Sequence, residues 1–287
     1  MISAEHGGTI ERGGWRLSFA GEEVIEAALR DAVIAAALDA ASGNGARLQR
    51  RSRRGSTYLV RIGGPTGVAF FTKIIDAPRG CAKLKRWFSG TRAAHIHAIS
   101  AAICRAGLNA PPVVLWGRER SSGRELVMTR RAPGVLATRY LRGTPEAGFA
   151  RKRILLRALG AEIARLHAAR FVHGDLTPFN IIADESPRIS FIDHERTRRV
   201  WLWRAAAHAR RRNLVQLGRF AFPGLTRTDR MRLWSSYAAA TAPALGRREL
   251  RRVLKMLDAR IARDGAPEAF HAPQMSAGGV REPRWEK

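Results

Sequence analysis

Three polar side chains in the middle of the chain have the spacing of a phosphoryl-transfer site. Asp175 lies in the run H-G-D-L-T-P-F-N, Asn180 closes that run five positions later, and Asp193 follows thirteen positions after Asn180. In the kinase template, the first Asp accepts the proton of the attacking hydroxyl, and the Asn and the second Asp hold Mg²⁺ on the phosphates of ATP. The spacing therefore predicts Asp175 as catalytic and Asn180 and Asp193 as ligands of the metal and nucleotide.

The surrounding pattern supplies elements that would position these side chains. Apolar residues recur at helical spacing through 154–166, so a helix leads into the loop. Residues 181–183 and 188–192 have the composition of two short strands, and the second leads to Asp193. The turn residues taken singly would also suit an ordinary hairpin. The full order of helix, loop, strand, turn, strand and Asp is typical of a kinase catalytic lobe.

An upstream lysine is the candidate for the phosphate-binding cation. Lys73 lies in the apolar run 68–75, where an ammonium group is costly unless it meets an anion. It precedes Asp175 by about a hundred residues, as the strand lysine of a kinase does. The alternative is an edge-strand lysine that points to water. Gly55 and Ser56 would offer N–H groups to the phosphates, although an ordinary hairpin turn explains them equally well.

The nucleotide base and the lysine each need a further partner. The strand at 125–129 would lead into an interlobe hinge, where Thr129 and Arg130 would meet adenine through backbone groups. The helix predicted over 93–106 contains no Asp or Glu to hold the lysine. The candidates that remain are two histidines of that helix and three glutamates near the N-terminus, namely His95, His97, Glu22, Glu23 and Glu26.

Charge is the dominant feature of the composition. The chain has 287 residues, with 51 Lys and Arg against 24 Asp and Glu, and a formal net charge of +27. Such a protein is expected to meet an acidic partner. Basic residues and tryptophan occur together in 83–88 and 201–212, which suits an anionic membrane surface. The alternative is that Trp201 and Trp203 pack in the core. Nucleic acid is not the expected partner, because no recognised nucleic-acid motif accompanies the charge.

The remaining composition bounds the fold and the compartment. No apolar run reaches eighteen residues, the N-terminus has no signal-peptide pattern, and two cysteines lie far apart, so we expect a cytoplasmic protein. The predicted fold class is α+β, with two lobes as in protein kinases: a small β-rich N-lobe over 1–128 and a larger helical C-lobe over 129–263. Residues 264–287 are expected to form a loose tail.

The motifs resemble one family of kinases more closely than others. The loop at 173–180 resembles that of aminoglycoside phosphotransferases and lipopolysaccharide core sugar kinases, and neither an Asp-Phe-Gly nor a well-placed Ala-Pro-Glu of protein kinases is present. The order of 191–196, 212–217 and 224–237 is similar to the heptose and Kdo kinases of the lipopolysaccharide inner core.

That resemblance implies a function for the whole chain. It implies an ATP- and Mg²⁺-dependent kinase acting on a sugar hydroxyl of a lipid-linked anionic acceptor, peripherally bound at the cytoplasmic face of the inner membrane. Two alternatives stay open. One is a soluble phosphotransferase for aminoglycosides or sugars, and the other is a non-catalytic kinase-like binding protein, which the absent helix Glu suggests.

Overall fold

The computed structural model describes residues 8–20, 29–44, 47–52, 55–77, 90–141, 148–222, 224–241 and 245–265. The architecture is mixed α/β, with a β-rich N-terminal sheet and a helical C-terminal part. Among the described residues there are two compact units: the first takes residues up to 102 together with 111–131, and the second takes 103–110 together with 132–265. Within the described residues, no helix has both the length and the apolar composition of a membrane span.

The first unit is built on one antiparallel sheet. Its described strands are β1 (Thr9–Arg12), β2 (Trp15–Phe19), β3 (Arg47–Ser52), β4 (Gly55–Ile62), β5 (Val68–Ile75), β6 (Val113–Glu119) and β7 (Glu125–Arg130). They lie in the order β1-β2-β6-β7-β5-β4-β3, and each neighbouring pair is antiparallel. Two helices of the described part of this unit accompany the sheet, α1 (Arg30–Ser42) and α2 (Arg92–Arg105).

Each face of the sheet packs against its own helix, because successive residues of a strand point to opposite faces. Phe70 and Leu126 belong to the core that includes the buried side of α1. Ile75 and Val127 belong to a smaller core that includes Ala93 of α2. A residue of β5 with an odd number therefore lies on the α2 side of the sheet.

The second unit consists mainly of helices. Its described elements are β8 (Val135–Leu136), α3 (Ala137–Leu141), α4 (Phe149–Ala168), β9 (Phe171–Val172), β10 (Ile181–Ala183), β11 (Ile189–Phe191), β12 (Arg198–Arg199), α5 (Trp203–Gly218), α6 (Arg227–Ala239) and α7 (Arg247–Asp264). The strands form two small sheets, β11-β10-β8 and β12-β9.

Helices α4 and α6 are joined at two points. At Gly160, an added Cβ would lie 2.4 Å from the main-chain oxygen of Leu233, so only glycine allows the backbones to approach this closely. Nearby in sequence, Lys152 Nζ lies 2.7 Å from Asp229 Oδ2, and both side chains are almost fully buried. Thr226 and Asp229 also form a reciprocal cap at the start of α6.

The sequence predicted most of these elements to within a few residues. The strand expected at 125–129 is β7, the helix expected over 93–106 is α2, and the helix before the loop is α4. Strand β1 was not predicted. Three predictions fall outside the described residues: the three N-terminal glutamates as partners of the lysine, the basic segment 83–88, and the tail beyond 265.

Candidate active site

The predicted catalytic loop follows β9 directly and is shaped by one glycine. Gly174 has a φ of 72°, and an added Cβ would lie 2.3 Å from the main-chain oxygen of Arg196. Any other residue would therefore clash with the chain that returns along β12. Asp175, the next residue, is only partly buried, so its carboxylate remains accessible to a substrate.

Asn180 is tied to Asp175 across the loop. The side-chain amide Nδ2 of Asn180 donates to the main-chain oxygen of Asp175 at 2.8 Å and to its Oδ2 at 3.3 Å. Asn180 is buried and ends a short 3₁₀ turn that begins at Pro178. Because Nδ2 is directed at Asp175, the amide presents its oxygen, Oδ1, as the acceptor for a ligand.

The β10–β11 hairpin places the third predicted residue beside the second. Ile181 pairs with Phe191, and one step further the N–H of Ile192 donates to the main-chain oxygen of Asn180 at 3.0 Å. Asp193 follows at once, so it lies at the same end of the hairpin as Asn180. It is exposed and has a φ of 62°, a left-handed conformation that is uncommon outside glycine. Strain of this kind concentrates at functional sites.

His173 supports the loop from within the core. The ring is fully buried, and Nε2 donates to the main-chain oxygen of Ile192 at 2.9 Å. Burial lowers the pKa of His173, an effect that the carboxylates of Asp175 and Asp193 partly oppose. The neutral ring therefore links the loop to the hairpin that leads to Asp193, and its full burial keeps it away from a substrate.

A buried polar chain holds the first residue of the loop. Asn213 Oδ1 accepts the backbone N–H of His173 at 3.0 Å and lies 3.2 Å from Nε2 of His167. The oxygen can only accept, so Nε2 of His167 carries the proton, and Nδ1 accepts from the hydroxyl of Tyr237 at 3.0 Å. Burial lowers the pKa of His167 to about 4, so the ring is neutral.

These positioning residues come from the stretch whose order resembled the sugar kinases. Gln216 lies one turn after Asn213 on α5, and its Nε2 donates to the main-chain oxygen of Gly174 at 3.2 Å. Thus α5 contacts two successive residues of the loop. The sequence marked this stretch by resemblance, but nothing in it showed that the amides bind the loop backbone.

The donor set fits Mg²⁺ held jointly by protein and nucleotide. Within the described part of the chain, no cluster of three His, Cys, Asp or Glu side chains forms a metal site. Magnesium in phosphoryl-transfer sites is bound through one or two protein oxygens together with phosphate oxygens and water. Asn180 Oδ1 and the Asp193 carboxylate supply oxygens of this kind at one end of a hairpin.

The first unit holds the predicted lysine. Lys73 pairs with Val127 across the β5–β7 ladder, and it is partly buried on the α2 side of the sheet. On the same face of β7, two residues before Val127, lies Glu125, whose side chain is fully buried. Lys73 and Glu125 are therefore diagonal neighbours on one face, a relation that lies within reach of long side chains.

Glu125 is a candidate for the acidic partner of Lys73 that the sequence did not reveal. Its Oε2 accepts the backbone N–H of Ala93 at 2.9 Å, at the start of α2. A carboxylate is stabilised at a helix N-terminus, where backbone N–H groups and the helix dipole favour negative charge. His97, one of the suggested substitutes, stacks on Trp116 with ring centroids 3.8 Å apart.

The remaining predicted nucleotide contacts lie in strands of the first unit. Gly55 and Ser56 begin β4 and pair with Ile75 and Ile74. A Cβ on Gly55 would lie 1.9 Å from the main-chain oxygen of Ile74, so close strand packing by itself accounts for the glycine. The phosphate contact of Gly55 and Ser56 stays a prediction.

Thr129 and Arg130 end β7, where their backbone and side-chain donors are partly used. The hydroxyl of Thr129 donates to the main-chain oxygen of Phe71 at 3.4 Å, and the N–H of Arg130 donates to that of Pro112 at 3.0 Å. An adenine ring would therefore have to use carbonyl oxygens here or groups further along the chain. Adenine binding by Thr129 and Arg130 stays a prediction.

Comparison with known proteins assigns the family. The model of the Lipopolysaccharide kinase (Kdo/WaaP) family matches residues 84–237, more than half of the chain and all of the Asp175–Asn180–Asp193 site. The chain belongs to this family. Membership in the lipopolysaccharide kinase family confirms the resemblance found in the sequence and supports a phosphotransferase. The match begins after Lys73, so the family model does not reach the lysine strand. No curated protein sequence matches the chain.

Proposed function

We propose that the protein is an ATP-dependent kinase that phosphorylates a sugar hydroxyl, heptose or Kdo, in the inner core of lipopolysaccharide. The observation that carries the proposal is the bonded pair of Asn180 and Asp175 with Asp193 beside it, in a chain of the lipopolysaccharide kinase family. The proposed fold is that of two-lobed protein kinases, and the mixed α/β architecture agrees with it.

Asp175 orients the acceptor hydroxyl and takes its proton. Its Oδ2 already accepts from Asn180, which leaves Oδ1 for the sugar hydroxyl. Asn180 Oδ1 and Asp193 hold Mg²⁺. Bound Mg²⁺-ATP supplies the phosphoryl group and offsets the charge that develops on the phosphate oxygens. The protein contributes mainly positioning and fixed charge.

Lys73 meets the nucleotide phosphates, and Glu125 takes the place of the missing helix carboxylate. The support is their shared face and diagonal register on β5 and β7. The N–H of Ala93 donates to Glu125 Oε2, so the orientation of the carboxylate is fixed independently of the lysine. The acid thus comes from a strand of the sheet and still joins the lysine to the start of α2.

The experiment measures phosphoryl transfer from ATP to a lipid-linked inner-core acceptor by mass spectrometry. We expect the wild-type chain to add one phosphoryl group. Asp175→Asn and Asp193→Asn should each lower the rate by about 100-fold or more. The matched control is Asp184→Asn, which changes an aspartate at the opposite end of the same hairpin, where Asp184 accepts from the backbone N–H of Ser186.

Two results would count against the proposal. One is a pair of aspartate variants that keep the wild-type rate, since the assigned chemistry needs both carboxylates. The other is transfer to soluble aminoglycosides or free sugars with none to the core acceptor, which would favour a soluble phosphotransferase. Mass spectrometry of the core from a strain lacking the protein should show the loss of one phosphate.

A further inference from the structure

The second unit carries an exposed apolar tip surrounded by arginine. Trp201 and Leu202 join β12 to α5, and 66% and 76% of their surfaces are exposed. Large apolar side chains with this exposure have no role in the core. Trp201 therefore does not pack in the core, which was the alternative considered for it. The side chain of Trp203 lies outside the described residues.

The tip is held in place by its arginines. The guanidinium of Arg170 lies 5.4 Å from the centre of the Trp201 ring, and its Nη1 donates to the main-chain oxygen of Trp201 at 3.2 Å. Arg199 lies 5.9 Å from the same ring, and the neighbouring Arg198 is also exposed. Just behind the tip, Val200 is buried against α5. The indole therefore stands on a fixed backbone.

The charge around the tip has one sign over a long stretch of sequence. No Asp or Glu occurs between Arg196 and Thr228. An exposed tryptophan with a leucine beside it and arginines around it matches the interface of a membrane, where indole rings lie at the level of the headgroups and guanidinium groups meet lipid phosphates. A nucleic acid would match the charge but would leave Leu202 without an apolar partner, and an acidic protein would need an apolar pocket beside its carboxylates; a membrane supplies both features at once.

The tip is also joined directly to the catalytic loop. Strand β12 pairs with β9, with Arg199 opposite Phe171, and the loop begins right after β9. Strand β12 itself follows Asp193 by only a few residues. A surface that holds the tip therefore holds the base of the loop that contains Asp175.

We propose that Arg170, Arg198, Arg199, Trp201 and Leu202 form a docking surface for an anionic membrane, with the indole and leucine in the headgroup region. The role of this docking surface, which is to bring a lipid-linked acceptor to Asp175, rests on the proposed function. Membrane binding itself does not depend on that function. It binds membranes in the absence of ATP and acceptor.

The test is sedimentation of the full chain with vesicles. Vesicles of phosphatidylcholine containing phosphatidylglycerol should bind the wild type, and pure phosphatidylcholine should bind it at least tenfold more weakly. The double variant Trp201→Ala/Leu202→Ser and the charge reversal Arg198→Glu should each lower binding at least tenfold, and Trp201→Phe should retain most of it. Raising the salt concentration should weaken binding, because it screens the arginines.

Two matched controls separate the tip from general surface effects. Ile154→Ser removes an exposed apolar side chain from α4, and Arg16→Glu reverses an exposed charge that lies opposite Arg118 in the sheet. Both should bind vesicles as the wild type does. The proposal is overturned if the tip variants bind like these controls, or if the wild type prefers a DNA or RNA oligonucleotide and the tip variants lose that binding.

An activity measurement then separates this proposal from the proposed function. On a lipid-linked acceptor in vesicles, the tip variant should be at least tenfold slower than the wild type, while on the delipidated core sugar the two should be equal. If the protein phosphorylates neither acceptor but the tip still governs vesicle binding, the proposed function fails and the docking surface stands. If transfer proceeds and the tip variant is as fast as the wild type on both acceptors, the docking surface fails alone.

Discussion

The side-chain amide of Asn180 donates at once to the main-chain oxygen and to the carboxylate of Asp175. This relationship ties the two residues together: the amide that orients the carboxylate of Asp175 leaves its own oxygen free to bind the metal of the proposed function. Changes at Asn180 should therefore affect both parts of the reaction.

Asn180→Ala should lower kcat on the order of 100-fold, because the carboxylate of Asp175 loses its anchor and the metal loses a ligand. Asn180→Asp should be no better, since it keeps an oxygen ligand but places a second negative charge against Asp175. Initial rates at saturating ATP measure both. Asn109→Ala is the matched control: that amide donates to the main-chain oxygen of Ile189 on the same hairpin, away from the reacting groups. A loss as large in the control would show a structural effect only.

Glu125→Gln should raise the KM for ATP and lower kcat by about tenfold or more, because a neutral amide cannot hold the ammonium group of Lys73. The Gln side chain can still accept the N–H of Ala93, so the start of α2 keeps its bond. Steady-state kinetics at varied ATP, together with direct nucleotide binding, are the measurement.

Thr91→Ala is the control for that experiment. The hydroxyl oxygen of Thr91 accepts the N–H of Ala94, so the variant removes a different cap from the same end of α2. It should cost about 1 kcal/mol of stability and leave the KM for ATP unchanged. If the two variants raise the KM equally, Glu125 acts only through the helix and not on the lysine.

Acid should destabilise the protein through His167. The pKa of this residue is about 4 in the folded protein against 6.5 for an ordinary histidine, since burial favours the neutral ring. The unfolded chain therefore binds the extra proton first, and stability should fall as the pH drops from about 6.5 toward 4. Across that window the loss reaches about 3 kcal/mol.

Urea denaturation at several pH values measures this loss, and His167→Gln is the informative variant. It should be less stable than the wild type at pH 7, because the chain from Tyr237 to Asn213 is disturbed, but its stability should fall less between pH 6.5 and 4. A smaller fall of the same sign should persist, because burial also lowers the pKa of His173. An unchanged pH dependence would mean that His167 does not titrate on unfolding.

Lys152→Met should destabilise the fold by roughly 3–5 kcal/mol, because it removes the buried cation beside Asp229 and leaves that carboxylate only the partly exposed Arg232 as an ion-pair partner. Burial alone would raise the pKa of Asp229, but hydrogen bonds from Lys152 and Thr226 outweigh it and lower that pKa to about 2. The double variant Lys152→Met/Asp229→Asn should recover part of the loss, since no lone charge remains.

Arg232→Met is the control, because Arg232 also contacts Asp229 at 2.7 Å but keeps 25% of its side chain exposed. Its cost should stay below about 1 kcal/mol. Midpoints of urea denaturation compare the three variants. Equal losses for Lys152→Met and Arg232→Met would show that burial does not distinguish the two ion pairs.

The arrangement of the predicted catalytic loop could be inferred from the sequence because it depends on residues that are close together in the chain. Asp175, Asn180 and Asp193 are set by one loop and one hairpin, and the spacing of a short segment determines which residues meet there. The family was recognised from the same stretch. The predicted helices and strands of this region also agree with the structure, since apolar periodicity is strongest where an element is buried on one side.

Glu125 could not be predicted, because its relation to Lys73 depends on strand order and register. Residues far apart in the chain meet on one face of the sheet only when β5 and β7 are neighbours in one particular alignment. The exposure of Trp201 was ambiguous for a similar reason. An apolar residue beside a helix start suits either the core or the surface until the packing of Val200 is known.

Asp193 has a left-handed backbone conformation, which costs stability at a position where the proposed chemistry needs a carboxylate. Glycine there would remove about 1–2 kcal/mol of conformational cost, yet it would also remove the carboxylate. A search for more stable sequences would thus select a replacement that, if the proposed function holds, abolishes turnover. Stability and phosphoryl transfer therefore favour different residues at position 193, so stabilising substitutions should be sought at other positions.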